Sequence, residues 1–335
     1  MARIGVRFMD DLGTPRELIK LAVSADRLGF SSVLFPHDTF RYHAWTMTGA
    51  VAQATDRIHL MPVGTNPWST DPSEIAAYAA TLDLISGGRA MLGLGLHTDE
   101  FLRWVGLDVE PAGIVPAVRE TAEAIRAVWR GGPAPYGGEH VRWSDKAYLR
   151  FSPLRPDIPI YICPFGPEFL ALAGEVGDGA LPMCAPPESA SMMVDLIRQG
   201  ATRAGRDAGT LDIMGFVWVS CSADGDQARD RMARVISYYG PYLEAGALAS
   251  IGLTPADFGP IKARTLKGDR DGAQALVTEQ MLQLGVFGTP SEVIRRLETV
   301  IGGGVTHVSL GGPLGPDPAG ALELLGREVL PYFRA

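Results

Sequence analysis

The chain has 335 residues, a formal net charge of −8, and 46% hydrophobic against 20% charged residues. That length can bury one large barrel core or two medium ones, and the negative balance argues against nucleic acid or an anionic membrane as a partner. Its three cysteines, Cys163, Cys184 and Cys221, show no metal spacing, the start lacks a signal-peptide core, and no apolar run reaches membrane-spanning length; a cytoplasmic protein without a metal is expected.

Arg3–Phe8 reads as the first strand. Thr14-Pro15-Arg16-Glu17 then opens a helix: the threonine caps it, proline suits the first helical position, and the glutamate reaches back to the cap. Leu18, Leu21, Ala22, Ala25 and Leu28 share one stripe, and Gly29 ends it. Ser32–Pro36 is the second strand, followed by His37-Asp38, and a helix through Trp45–Ala54 leads to the third strand, Ile58–Thr65. The same helix start recurs at Asp71-Pro72-Ser73-Glu74 and at Thr289-Pro290-Ser291-Glu292. Helices built alike, each followed by a strand, indicate a repeated β-α module.

Ala90–Leu96 is the fourth strand, with Gly93 and Gly95 thinning the side chains where something approaches closely. A helix over Glu110–Arg130 precedes an excursion at about 131–157, rich in Gly, Pro and Trp, that has room for a small hairpin. Asp157–Cys184 then reads as strand, tight turn, helix, strand: Ile158–Cys163 and Ala180–Cys184 are apolar, and the helix between them opens on Gly166-Pro167. Two buried strands joined by one short helix must lie parallel. Ser189–Ala204 is helical, Leu211–Cys221 is the seventh strand, and Asp224–Leu248 reads as one long helix. Residues 249–287 do not fit the module and read as an insertion; Val305–Leu310 is the eighth strand, and Asp317-Pro318 opens the last helix. Eight strands alternating with helices predict an α/β fold, a (β/α)8 TIM barrel with insertions, formed by residues 1–335 as one domain. A doubly wound sheet is the alternative.

In such a barrel the working residues lie at the C-terminal ends of the strands. Those ends carry His37-Asp38, Gly64-Thr65-Asn66, His97-Thr98-Asp99 and Phe165-Gly166, without a metal cluster, a phosphate-binding Walker loop or a nucleophile elbow. A carboxylate and an imidazole side by side can orient a polar ring edge and move a proton during hydride transfer; equally, Asp38 could cap the next helix and His37 be a rim residue. Gly64 could bring backbone atoms against a flat ring or simply end a strand. His97 and Asp99 could form a loop salt pair. The helix at Gly166 has no side-chain oxygen at its start, so its free N–H groups are open to a phosphate, although Glu168 already complements the dipole.

Several segments together resemble one family. FPHDTF at strand two, VGTNPWSTDPSEIAAYAATLDLISGGRAMLGLGL at modules three and four, IPIYICPFGPEFLALAGEVGDGAL at five and six, and FGTPSEVIRRLETVIGGGVTHVSLGGPLGPDPAGALELLGREVLPYF near the end are similar to the bacterial-luciferase-like superfamily. Within it they most resemble the F420-dependent oxidoreductases like methylenetetrahydromethanopterin reductase. The resemblance implies a barrel that binds coenzyme F420, a deazaflavin, or FMN in other branches. It implies that His37 and Asp38 approach the reacting ring and that Val63–Gly64 is a bulged, non-prolyl cis peptide backing it. Thr65, Asn66, His97, Thr98 and Asp99 would lie near the ring and tail, and Phe165 and Gly166 would hold the phosphate. A homodimer or higher homo-oligomer is implied too.

The activity so implied is hydride transfer between the deazaflavin C5 and a small organic substrate, a methylene-pterin type being one candidate. An FMN-dependent monooxygenase and a non-catalytic cofactor-binding protein of the same fold are the alternatives. The chain departs from the archaeal reductases at Arg7, where they tend to carry a carboxylate, and in its LHTDEF and CPFGP loops. These departures bear on the substrate more than on the cofactor.

Overall fold

The computed structural model describes residues 2–96, 102–243 and 245–334. Eight parallel strands form the barrel: β1 Arg3–Arg7, β2 Ser32–Pro36, β3 His59–Val63, β4 Leu92–Gly95, β5 Ile160–Cys163, β6 Gly179–Ala180, β7 Asp212–Cys221 and β8 His307–Leu314. Going round, β3, β2, β1, β8, β7, β6, β5 and β4 are neighbours, and the bridges Leu60–Ala90 and Thr65–Leu94 join β4 back to β3. All eight strands overlap the runs where the sequence places them, but β6 is Gly179–Ala180 and not Ala180–Cys184. Pro182 lacks the N–H to continue the ladder, and contact with β7 resumes at the Met183–Phe216 bridge. Nearly every residue in the strands is buried, because the inward face fills the barrel and the outward face meets helices.

The helices start and stop by the chemistry expected of them. In α1, Pro15–Leu28, Thr14 and Glu17 close a capping box, and Gly29 adopts a left-handed φ of 88°. The helix α2 spans Ala44–Ala54. At α3, Pro72–Ser86, the Asp71 side chain accepts from the Ser73 N–H. The helix at Pro290–Gly302 repeats the capping box with Thr289 and Glu292.

The excursion at 131–157 contains a short antiparallel hairpin, Tyr136–Gly137 against Arg142–Trp143. The long helix expected over 224–248 is shorter. It spans Gly225–Tyr239, and a 3-10 turn over Gly240–Tyr242 follows. Pro241 lacks the N–H that would continue the ladder. Gly240 also leaves room for Phe258, whose ring carbon would stand 2.4 Å from a Cβ there.

The insertion at 249–287 is a set of short helices and one strand, Val286–Gly288, which pairs parallel with β7. Its Leu253, Phe258, Ile261, Met281 and Leu282 join Met232 and Ile236 of the preceding helix in a core continuous with the barrel interior. No helix among the described residues is long and apolar enough to cross a membrane.

Candidate active site

The floor of the site is a bulge in β3. Between the bridges Leu60–Ala90 and Thr65–Leu94, the chain of β3 advances five residues while that of β4 advances four, so one residue is extra. The Thr65 N–H donates to the Gly93 carbonyl at 3.0 Å, and the Gly95 N–H to the Thr65 carbonyl at 2.8 Å. Gly93 permits this approach, since a Cβ there would lie 2.8 Å from Val63 Cα. The bulge is present but the expected cis peptide is not. The cis bonds among the described residues are Ala185–Pro186 and Gly312–Pro313; Val63–Gly64 is trans, and Gly64 takes up the bend with φ of 79°.

Above this floor a cavity of about 350 Å³ opens at the C-terminal ends of the strands. Asp38, Val63, Phe165 and Gly166 line it. Thr65 and Asn66 are buried outside the cavity lining. Asn66 Oδ1 accepts from the Ser69 N–H at 2.9 Å and the Trp68 N–H at 3.2 Å, which shapes the loop leaving the bulge. His97, Thr98 and Asp99 lie outside the described residues.

His37 and Asp38 diverge. The His37 N–H donates to the Val63 carbonyl at 2.8 Å, its Nδ1 lies 3.2 Å from Thr65 Oγ1, and its ring centroid is 4.9 Å from that of His43. Burial, aided by the neighbouring His43, pushes its pKa down to about 4, so the ring is neutral at pH 7. His37 is absent from the cavity lining. Asp38 faces the cavity. Its Oδ1 accepts from the Thr39 N–H at 2.9 Å, and its Oδ2 lies 3.7 Å from Arg41 Nε. Burial raises its pKa, against the pull of the Thr39 N–H and the Arg41 charge.

Two arginines line the cavity, and of these Arg7 stood out in the sequence while Arg41 did not. Arg41 pairs with Asp10 and donates to the Tyr239 hydroxyl at 3.3 Å, which ties the loop after β2 to the helix after β7. Arg7, at the end of β1, lies with its guanidinium carbon 4.5 Å from the centre of the Phe216 ring. Phe216 and Trp218 stand two apart on β7, and that inward period was the available signal. The Cys163 thiol is buried in the same wall, and burial pushes its pKa up to about 12, so it stays protonated. Among the described residues no group of three or more His, Cys, Asp or Glu could hold a metal ion.

A parallel barrel with a cavity at the strand C-termini, and a half-buried carboxylate facing it, is the architecture of an enzyme. The model of the luciferase-like monooxygenase family matches residues 2–307; the chain belongs to that family and is an oxidoreductase of it. It is 30% identical to a 5,10-methylenetetrahydromethanopterin reductase of Methanopyrus kandleri, with 98% of each chain covered. It is 28% identical to an F420-dependent glucose-6-phosphate dehydrogenase of Segniliparus rotundus, over 99% of this chain and 98% of that one. The solved coenzyme F420 dependent tetrahydromethanopterin reductase of Methanopyrus kandleri matches with a TM-score of 0.94 at 30% identity, covering 99% of both chains. The family read from the FPHDTF, VGTNPWSTDPSEIAAYAATLDLISGGRAMLGLGL and IPIYICPFGPEFLALAGEVGDGAL segments is borne out, and so is the barrel.

Proposed function

We propose that this protein is a coenzyme F420-dependent oxidoreductase acting on a small organic substrate. The observation that carries the reading is an apolar cavity seated on the β3 bulge, in a chain matched almost end to end by relatives named for F420. When bound, F420 supplies a hydride at the C5 carbon of its deazaflavin ring.

The residues fit that group on two counts. The cavity is walled largely by apolar and aromatic side chains, which suits a flat conjugated ring and excludes water. At its edge the helix Gly166–Val176 has no side-chain cap, so the N–H groups of its first turn, Pro167 apart, lack a side-chain acceptor and would hold a phosphate there. Phe165 and Gly166 are assigned to that phosphate, and Val63 and Gly64 to the back of the ring. Thr65 and Asn66 support the bulge from behind, while His97, Thr98 and Asp99 are assigned to the ring and its tail.

Asp38 is the proton-handling group: burial favours its protonated carboxyl, which can give a proton at Oδ2 or take one back. His37, held neutral, orients the loop and hydrogen-bonds Thr65. A homodimer built from this one-domain chain is part of the same reading.

Parallel fluorescence titrations of the purified protein with F420 and FMN test it. Saturable quenching by F420, with FMN far weaker, is expected. Tight FMN binding with no F420 quenching overturns the reading in favour of a flavin monooxygenase. Tight F420 binding with no turnover on any acceptor leaves a non-catalytic cofactor carrier.

A further inference from the structure

We infer that Arg7 is the substrate-recognition residue of this cavity, and that the substrate carries a carboxylate on an apolar body. The inference deepens the proposed oxidoreductase reading and rests on it for the word substrate.

Arg7 closes β1, opposite Gly311 on β8 and Leu34 on β2, and its side chain reaches the cavity. The guanidinium lies over Phe216, 4.5 Å from the ring centre. That seat is built: a Cβ on Gly311 would stand 2.1 Å from Phe216 Cε2, so only glycine at 311 lets the ring lie there. With one face of the guanidinium covered by a π surface, its in-plane N–H donors remain for a ligand.

Among the described residues those donors have no side-chain or backbone acceptor. Arg7 Nε is buried and without a hydrogen-bond partner, and no ion pair among the described residues includes Arg7. Arg41, also in the cavity wall, is by contrast engaged with Asp10, Asp38 and Tyr239. Burial lowers the Arg7 pKa to about 10, with the nearby Cys163, Tyr239 and Asp38 acting in the other direction, so the charge is intact at pH 7. A buried cation lacking an acceptor costs stability, and a ligand that supplies one removes the cost. Apart from Asp38, Arg41 and the tyrosines, the lining is largely apolar, with Val63, Leu181, Met183 and Trp218 in it. The guanidinium fork pairs best with a planar two-oxygen anion, and the apolar wall suits a hydrophobic remainder. A substrate that gains positive charge as it reacts would be opposed by the same group.

Benzoate and its neutral isostere benzamide, titrated against the F420-loaded protein and the cofactor-free protein by calorimetry, test the assignment. Benzoate is expected to bind the wild type, to weaken by about tenfold or more in Arg7→Met, and to recover in part in Arg7→Lys, as charge-assisted hydrogen bonds require. Benzamide affinity and F420 affinity should be the same in wild type and Arg7→Met, and thermal denaturation shows whether each variant is folded. Benzoate binding equal in wild type and folded Arg7→Met, or absent from both, overturns the proposal. Loss of F420 affinity in Arg7→Met together with benzoate also overturns it, because Arg7 would then hold the cofactor. Failure of F420 to bind the wild type sinks the cofactor reading instead, and the cofactor-free benzoate titration still decides the role of Arg7.

Discussion

Asp38 Oδ2 and Arg41 Nε face each other at 3.7 Å, and one turn of loop carries both to the cavity wall. The contact is too long to count as a hydrogen bond. It trims the burial penalty on the carboxylate without cancelling it, since the Asp38 pKa stays raised. The carboxyl therefore holds its proton more readily than an exposed aspartate does.

Asp38→Asn should therefore cut turnover by roughly 10²–10⁴-fold, the usual contribution of a positioned acid or base. Stability should not fall. A carboxyl whose folded-state pKa is raised binds more protons folded than unfolded, so at neutral pH its charge opposes folding, and the amide removes that opposition. Steady-state kinetics with reduced F420 and a melting curve at pH 7 check both halves. Wild-type turnover in the folded variant would remove Asp38 from the mechanism.

His37 has the opposite sign. Its folded pKa of about 4 lies below the ordinary histidine value, so between about pH 6.5 and 4 the unfolded chain binds the extra proton. Stability from this group is complete above pH 6.5 and is lost as pH falls toward 4. His37→Phe should flatten the fall in stability across that window, measured by urea denaturation at several pH values. An NMR titration of the wild type should place the His37 midpoint well below 6; a midpoint near 6.5 would contradict its neutral, buried state.

The sequence carried much of this architecture, for physical reasons that differ from place to place. Strands buried on both faces write themselves as short apolar runs, and the Thr14–Glu17 and Thr289–Glu292 boxes mark helix starts by local chemistry alone. Asp38, Val63, Phe165 and Gly166 were legible because strand ends in a barrel converge on one mouth. Arg41 and Tyr239 were not: their contact joins residues 198 apart, and no local pattern encodes it. The shape of the Val63–Gly64 bulge was also illegible. It depends on Gly93 of the neighbouring strand, and its bend comes from positive φ instead of the cis peptide that resemblance implied.

Two glycines at the site separate strain from crowding. Gly166 has φ of 68° but open space around a would-be Cβ, so Gly166→Ala should cost about 1 kcal/mol and weaken F420 binding through the altered first turn. Gly93 has an ordinary φ but would place a Cβ 2.8 Å from Val63 Cα, and the bulge would have to move. Gly93→Ala should cost about 1–3 kcal/mol by overpacking and abolish cofactor binding. Paired denaturation and F420 titrations distinguish the two; equal and small effects would mean that the bulge is not rigidly packed.

Asp83 offers the sharpest stability prediction. Its side chain is 0% exposed and receives Arg155 on both oxygens, Nη2 to Oδ1 at 2.9 Å and Nε to Oδ2 at 3.1 Å. Arg155 Nη2 also donates to the Ala90 carbonyl at 2.9 Å, and the Ala90 N–H donates to Asp83 Oδ1 at 3.2 Å. The pair thus pins the end of the 131–157 excursion to the start of β4. Truncating one partner of a buried pair leaves the other without its counter-charge, so Asp83→Ala should cost about 3–5 kcal/mol. Arg155→Met should cost as much or more, because the carboxylate it strands lies wholly out of water, whereas Arg155 keeps 29% of its side chain exposed. The double variant should be less destabilised than the sum of the singles, since neither charge is then stranded. A denaturant cycle over the four proteins measures that coupling, and strict additivity would show that the two side chains act independently.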